Sequence, residues 1–240
     1  MGGASRGVTR RVTRGVPTLT RRRRFRPAVL ALVGVLVVVV AGPADAAKPR
    51  TTSAILKAGV ISARDVPSTW ISTPRTTAPD PFPRGAACLT LAGAERVARR
   101  FPHAASPQFS DPESGNTTQA DNSVYAFPTP VGAHRYLAAY EAATASACLQ
   151  LVLTDAVGTS ASVTLAPLTT QLAGLGDESA GYEGTVQGTN GAGQVVALVA
   201  DIVAVRVGRS AVVFEFLSAN QQIAAGPAIV TTVVKRLGER

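Results

Sequence analysis

The chain has 240 residues, 46% of them hydrophobic and 16% charged, with a net charge of +9, two cysteines and one tryptophan. The charge is concentrated in residues 1 to 46, which hold nine arginines against one acid, Asp45; the remainder holds 15 basic and 14 acidic residues. A near-neutral body lacks the basic surface that a phosphate backbone requires, so nucleic acid is excluded as an expected partner.

At the N-terminus, RRRRFR at 21 to 26 precedes the apolar run AVLALVGVLVVVVAG at 28 to 42, and Ala44-Asp45-Ala46 follows. A basic region, an apolar core and an Ala-x-Ala site in that order define a secretory signal peptide, with cleavage expected after Ala46. The alternative is an uncleaved anchor, although the apolar run is short for a span of about 20 residues. Under that alternative the N-terminal segment is the only part expected to touch a membrane, and under either reading the body lies outside. Arg22-Arg23-Arg24-Phe25 also fits the start of a twin-arginine signal. Met1 is the only methionine ahead of an unusually long basic region, which points to a true start at a valine codon such as Val16.

Residues 47 to 53 form a polar lead-in, and 54 to 240 are long enough for one domain with a substantial core. Residues 54 to 73 read as a short helix, a turn and an extended piece holding Trp70, a core or rim anchor that could also stack on a ligand. Four prolines make 74 to 84 a loop. A surface helix is expected over 91 to 101, with Leu91, Ala94, Val97 and Phe101 as its apolar stripe and Arg96, Arg99 and Arg100 as its solvated face. Residues 102 to 116, beginning near His103, read as a turn-forming loop, and 117 to 127 as a strand that becomes more buried toward its end. Thr129-Pro130 opens a helix running to about Gln150. Its predicted buried stripe is Ala133, Leu137, Tyr140, Thr144 and Cys148, with His134 beside it.

A strand containing SVTLAPL follows within 152 to 168. Gly176 to Leu217 then reads as three strands joined by turns at Asn190-Gly191 and Gly208, residues suited to hairpins. The β-branched run from Val195 to Val207 is expected to be the centre of the sheet. A closing helix is capped by Ser218 or Asn220, is interrupted or restarted at Pro227, and carries Lys235 and Arg236 at its C-terminal end.

Cys88 and Cys148 both lie in the exported body and are expected to pair, since an oxidising compartment lets disulfides persist; two buried thiols are the alternative. Two distant cysteines with His103 and His134 match no familiar metal spacing, and no cofactor is expected. GDESAG at 176 to 181 departs from the serine-protease pattern through Glu178, with no histidine and aspartate arranged to complete a triad. GTNGAG at 188 to 193 precedes a strand, which suits a hairpin better than a phosphate cradle. The remaining chemistry is in carboxylates: Asp177 with Glu178, and Asp201 with Glu215, which could face each other on neighbouring strands with Arg206 balancing one of them. Alternation alone places Asp201 and Arg206 on opposite faces unless a bulge intervenes.

The segments ILKAGVISARDVPSTW, ATASACLQ, GLGDESAGYEG and VADIVAVRVGRSAVVFEF, with a first cysteine ahead of a helix, resemble actinobacterial sensor-type domains similar to the extracellular domain of the receptor kinase PknH. The resemblance spans most of 54 to 237. It implies a single α+β domain in which helices pack on a curved antiparallel sheet around a ligand cleft, and it does not imply an enzyme. The chain departs from that family in having no kinase domain, no lipobox and two cysteines where the kinase's sensor domain has two disulfides.

The expected function is therefore that of an exported, non-catalytic binding or sensor-like domain of the cell envelope. Its partner would be a small molecule, an envelope component or a protein, with Trp70, Tyr182 and Arg206 as candidate contacts. The alternatives are an envelope-directed hydrolase using Asp201 and Glu215, or a structural envelope protein that pairs through a sheet edge.

Overall fold

The computed structural model describes residues 50–75, 82–115, 117–157, 161–168, 172–189, 195–219, 223 and 225–239. The expected signal peptide with Ala44 and Ala46, and the Asn190-Gly191 turn, lie outside the described residues. Among them are five α-helices, α1 (Thr52–Gly59), α2 (Leu89–Ala98), α3 (Pro130–Glu141), α4 (Ala145–Val157) and α5 (Gly226–Gly238). The strands are β1 (Ile71–Thr73), β2 (His103–Ala105), β3 (Gln108–Asp111), β4 (Thr118–Ala126), β5 (Ser162–Pro167), β6 (Glu178–Thr189), β7 (Val195–Val207) and β8 (Ser210–Ala219).

All eight strands join one open antiparallel sheet in the order β1-β3-β4-β8-β7-β6-β5, with β2 also paired to β4. This is the expected α+β class in a single compact domain with one disulfide. The predicted meander is present as β6, β7 and β8. Val207 pairs with Ser210 across a two-residue turn, where Gly208 adopts φ 57°, the left-handed region that glycine enters at little cost. The central strand is β8 and not β7, because β4 returns to pair along nearly the whole of β8.

Period-two alternation divides the side chains between two faces. One face carries Val124, Val203, Val205, Val212 and Phe214 and is covered by Ile55 of α1 and by Ile229, Val230 and Val233 of α5. The other carries Tyr125, Ile202, Ala204 and Val213 and is covered by Leu91, Leu137, Tyr136 and Leu149 from α2, α3 and α4. Under α1 the backbone comes so close to the sheet that a Cβ on Gly59 would lie 2.5 Å from Val124 Cγ2. That approach lets the fully buried Asn122 close the helix end: its Nδ2 donates to Gly59 O at 2.6 Å, and Ile61 N–H donates to its Oδ1 at 2.9 Å.

Three local expectations change. The buried face of α2 is Leu91, Glu95 and Ala98, while Val97 is 50% exposed. An acidic residue holds an inward position because two tyrosine hydroxyls and an arginine satisfy it there. Within 102 to 116, His103–Ala105 and Gln108–Asp111 are strands and not loop, because each finds a partner stretch on β4. The helix expected to run to Gln150 breaks at Ala142, whose ψ of 141° is extended, and Thr144 is exposed in the turn. Thr129 caps α3 as expected, its hydroxyl accepting from Gly132 N–H.

The Cys88–Cys148 disulfide is formed and fully buried, tying the start of α2 to α4. Closing a loop of this separation, 60 residues, stabilises the fold by about 4 kcal/mol on the chain-entropy model.

Candidate functional site

The helix-covered tyrosine face is not completely filled. Between β2, β4, β7 and β8 on one side and α2 to α4 on the other lies a cleft of about 460 Å³. Its walls include Phe82, Leu149, Val152, Leu153, Ile202 and Val213, and its polar groups come from Glu95, Arg99, His103, Arg75, Ser123, Glu215 and the tyrosine hydroxyls.

One wall is built around Glu95, 7% exposed. Tyr125 OH donates to Oε1 at 2.6 Å, Tyr136 OH donates to Oε2 at 2.9 Å, and Arg99 Nε donates to Oε1 at 2.8 Å from one turn along the helix. Burial, and for Tyr125 next the Glu95 charge, pushes both phenols well above their ordinary pKa, so they remain donors. Rings pack outward from this point: Tyr125 is tilted against Tyr136 at 5.1 Å and stacked on His103 at 5.8 Å, centroid to centroid. Carboxylate and phenols thus lock one another's rotamers, and the aromatic wall is rigid before any ligand arrives.

Arg75, just beyond β1, reaches over the sheet at the opposite wall. Its Nη1 lies 2.8 Å from Asp121 Oδ1, and its Nη2 donates to Glu215 Oε2 at 3.2 Å. Asp121 and Glu215 are directly paired across β4 and β8, so they point to the same face. Burial raises the Asp121 pKa first and the Glu215 charge raises it further; Arg75 lowers it only in part, leaving it at about 7. The geometry agrees, since Asp121 Oδ1 has no aligned hydrogen-bond partner among the described residues despite the nearby guanidinium.

A second recess of about 460 Å³ adjoins the cleft, lined by Thr73, Pro74, Gln108, Gln119 and Asp121. Arg75, Glu215 and Leu217 belong to the walls of both recesses. Gln108 Nε2 donates to Gln119 Oε1 at 2.8 Å.

The three candidate contacts read from sequence lie elsewhere, whereas Glu215 and His103 line the cleft. Trp70 is half-buried against the core cluster under α1 and α5. Tyr182 is buried, and its hydroxyl donates to Tyr140 O at 2.6 Å. Arg206 holds Asp177 and Glu178, each at 3.0 Å, beside the β7–β8 turn, and His134 Nδ1 contacts Glu178 at 2.8 Å. The structure does not bring these three candidate contacts together, and none of them lines the cleft.

The expected Asp201–Glu215 pair is corrected by register. Asp201 pairs with Phe216 and Glu215 with Ile202, so the two carboxylates point to opposite faces. Asp201 and Arg206 are likewise on opposite faces, as strict alternation requires, and the register runs without a bulge. Asp201 instead lines a small cavity of about 80 Å³ with Leu172, Leu175, Phe216 and Val230, where burial and then Glu183 raise its pKa to about 6. Among the described residues no group of three or more His, Cys, Asp or Glu is placed to hold a metal ion.

No family model matches the chain, and no curated protein matches it. Among solved structures, it is similar to the extracellular domain of PknH from Mycobacterium tuberculosis, with 12% identity and a TM-score of 0.42, over 78% of this chain and 91% of that one.

Proposed function

We propose that the chain is an exported, non-catalytic ligand-binding domain of the bacterial cell envelope and that the cleft between the sheet and α2 to α4 is its binding site. The observation that carries the reading is the cleft itself: mostly apolar and aromatic walls, a few converging polar groups, and a tyrosine wall already fixed by Glu95. The buried disulfide and the signal-like N-terminal sequence support an extracytoplasmic location.

Ala105 is exposed on β2 and lines the cleft, so Ala105→Trp should obstruct it without disturbing the core. The neutral apolar probe N-phenyl-1-naphthylamine is expected to bind saturably to the native chain and at least fivefold more weakly to the variant. Absence of saturable binding, or equal binding to both, would refute the cleft as the site.

A second reading, acid–base hydrolysis of envelope material, is favoured by Asp121, whose pKa of about 7 lies beside a second carboxylate on the same face. Sugar release from envelope fractions that Asp121→Asn abolishes would establish it.

A further inference from the structure

The cleft and the polar recess lie on one face of one sheet, and side-chain alternation makes them chemically different. On β4 the positions facing this side are Gln119, Asp121, Ser123 and Tyr125, in that order; opposite them on β8 are Leu217, Glu215, Val213 and Ala211. Polarity therefore falls along the strands. Thr73, Gln108, Gln119 and Asp121 line one end, and the aliphatic and tyrosine chamber occupies the other. Two adjoining recesses, one with as much polar as apolar wall and one mainly apolar, fit an occupant with a graded division of the same kind.

Resting on the proposal that the cleft is the binding site, we infer that its ligand is an amphiphile with an uncharged, polyhydroxylated head. The aliphatic part of the ligand occupies the chamber lined by Phe82, Leu149, Val152, Leu153, Ile202 and Val213. The head occupies the recess of Thr73, Gln108, Gln119, Asp121, Glu215 and Arg75.

The identity of the head follows from charge and geometry. Among the described residues Arg75 is the only cation lining the recess, and it is already shared by two carboxylates, so a phosphate or sulfate head would meet more negative charge than positive. A fixed cationic head would have to compete with Arg75 for the same carboxylates, with the guanidinium remaining beside it. Amide side chains present a donor beside an acceptor and carboxylates a planar pair of acceptors, the complement of adjacent hydroxyl groups, each of which both donates and accepts. Gln108 and Gln119, hydrogen-bonded to each other, keep one another's orientation fixed for this purpose.

The test compares head groups at constant tail: dodecyl maltoside, dodecyl phosphate and dodecyltrimethylammonium, each below its critical micelle concentration, and free maltose. Each competes with N-phenyl-1-naphthylamine for the full chain. Dodecyl maltoside is expected to bind at least tenfold more tightly than either charged amphiphile, and maltose alone not to displace the probe. Gln108→Ala should weaken the maltoside about tenfold and leave the charged amphiphiles unchanged, with Thr73→Val as a second variant at an exposed position. Ala105→Trp should weaken all three. Equal affinities across heads, tighter binding of the phosphate, or indifference to both recess variants would overturn the head assignment while leaving the cleft as a site. Failure of the naphthylamine probe itself to bind would refute the cleft reading instead.

Discussion

Both faces of the sheet hold an arginine against an aspartate, and the two pairs differ in what else they touch. Under α1 and α5, Arg236 contacts both oxygens of Asp65 at 2.9 to 3.1 Å and donates to the carbonyls of Ala58 and Val60, each at 2.7 Å. Ser62 adds its N–H and its hydroxyl to the same carboxylate. Burial raises the Asp65 pKa, but these bonds together outweigh it and the net shift is downward. On the cleft face Arg75 is divided between two carboxylates, Asp121 lacks an aligned donor among the described residues, and the net shift is upward. The saturated pair clamps the fold, and the unsaturated one borders the two open recesses.

The comparison is most directly broken at Arg236. Arg236→Met keeps much of the aliphatic stem but strands the buried Asp65 charge and two carbonyls, and it should cost about 3 kcal/mol at neutral pH by denaturant unfolding. Because the folded-state pKa of Asp65 is depressed, its contribution is present above the unfolded value of 3.8 and disappears as pH falls through the folded one. The deficit of the variant should therefore shrink in acid. A cost below half a kcal/mol would mean that the clamp is merely decorative and that the two faces differ less than their geometry implies.

Glu95→Gln sharpens the comparison from the cleft side. The amide keeps the shape but offers one accepting oxygen where the carboxylate offers two, so the hydroxyls of Tyr125 and Tyr136 must compete and the ion pair with Arg99 is lost. A loss of about 1 to 2 kcal/mol is expected. Binding of N-phenyl-1-naphthylamine should also weaken, since the aromatic wall is no longer held in one arrangement. Loss of stability with unchanged binding would make Glu95 a scaffold residue only.

Much of the fold was legible because local chemistry agreed with it. The β-branched run of β7, Gly208 at the turn and the Thr129-Pro130 helix start each had a physical signal within a few residues, and the Cys88–Cys148 pairing followed from the expected export of the body. The cleft was not legible in the same way. Glu95 reads as a surface charge until two tyrosines from β4 and α3 are seen to meet it, and Arg75 sits in a proline-rich loop with nothing local to show where it reaches. One signal was available: strict alternation through 119, 121, 123 and 125 places Asp121 on the face of Tyr125, and Glu215 shares the alternation of Val213 and Ala211. What sequence could not supply was the register between β4 and β8, which makes Asp121, and not Asp201, the partner of Glu215. Trp70, Tyr182 and Arg206 stood out as rare or charged residues in apolar surroundings, a property that core anchors and turn clamps share with binding residues.

The most discriminating effect concerns a sign. Asp121 has its pKa raised on folding, so its contribution is fully present below the unfolded value of 3.8 and is lost as pH rises through about 7. Asp121→Asn removes that titration. The variant should gain stability relative to the native chain between pH 4 and pH 8, the reverse of what removing the Asp65 carboxylate would do as pH rises from below 3.8. Denaturant midpoints measured across this range for the native chain and the variant supply the check. If the difference between them stays flat, Asp121 is as well satisfied as Asp65, the asymmetry between the two faces disappears, and Arg75 is a closed clamp and not the shared wall of two open recesses.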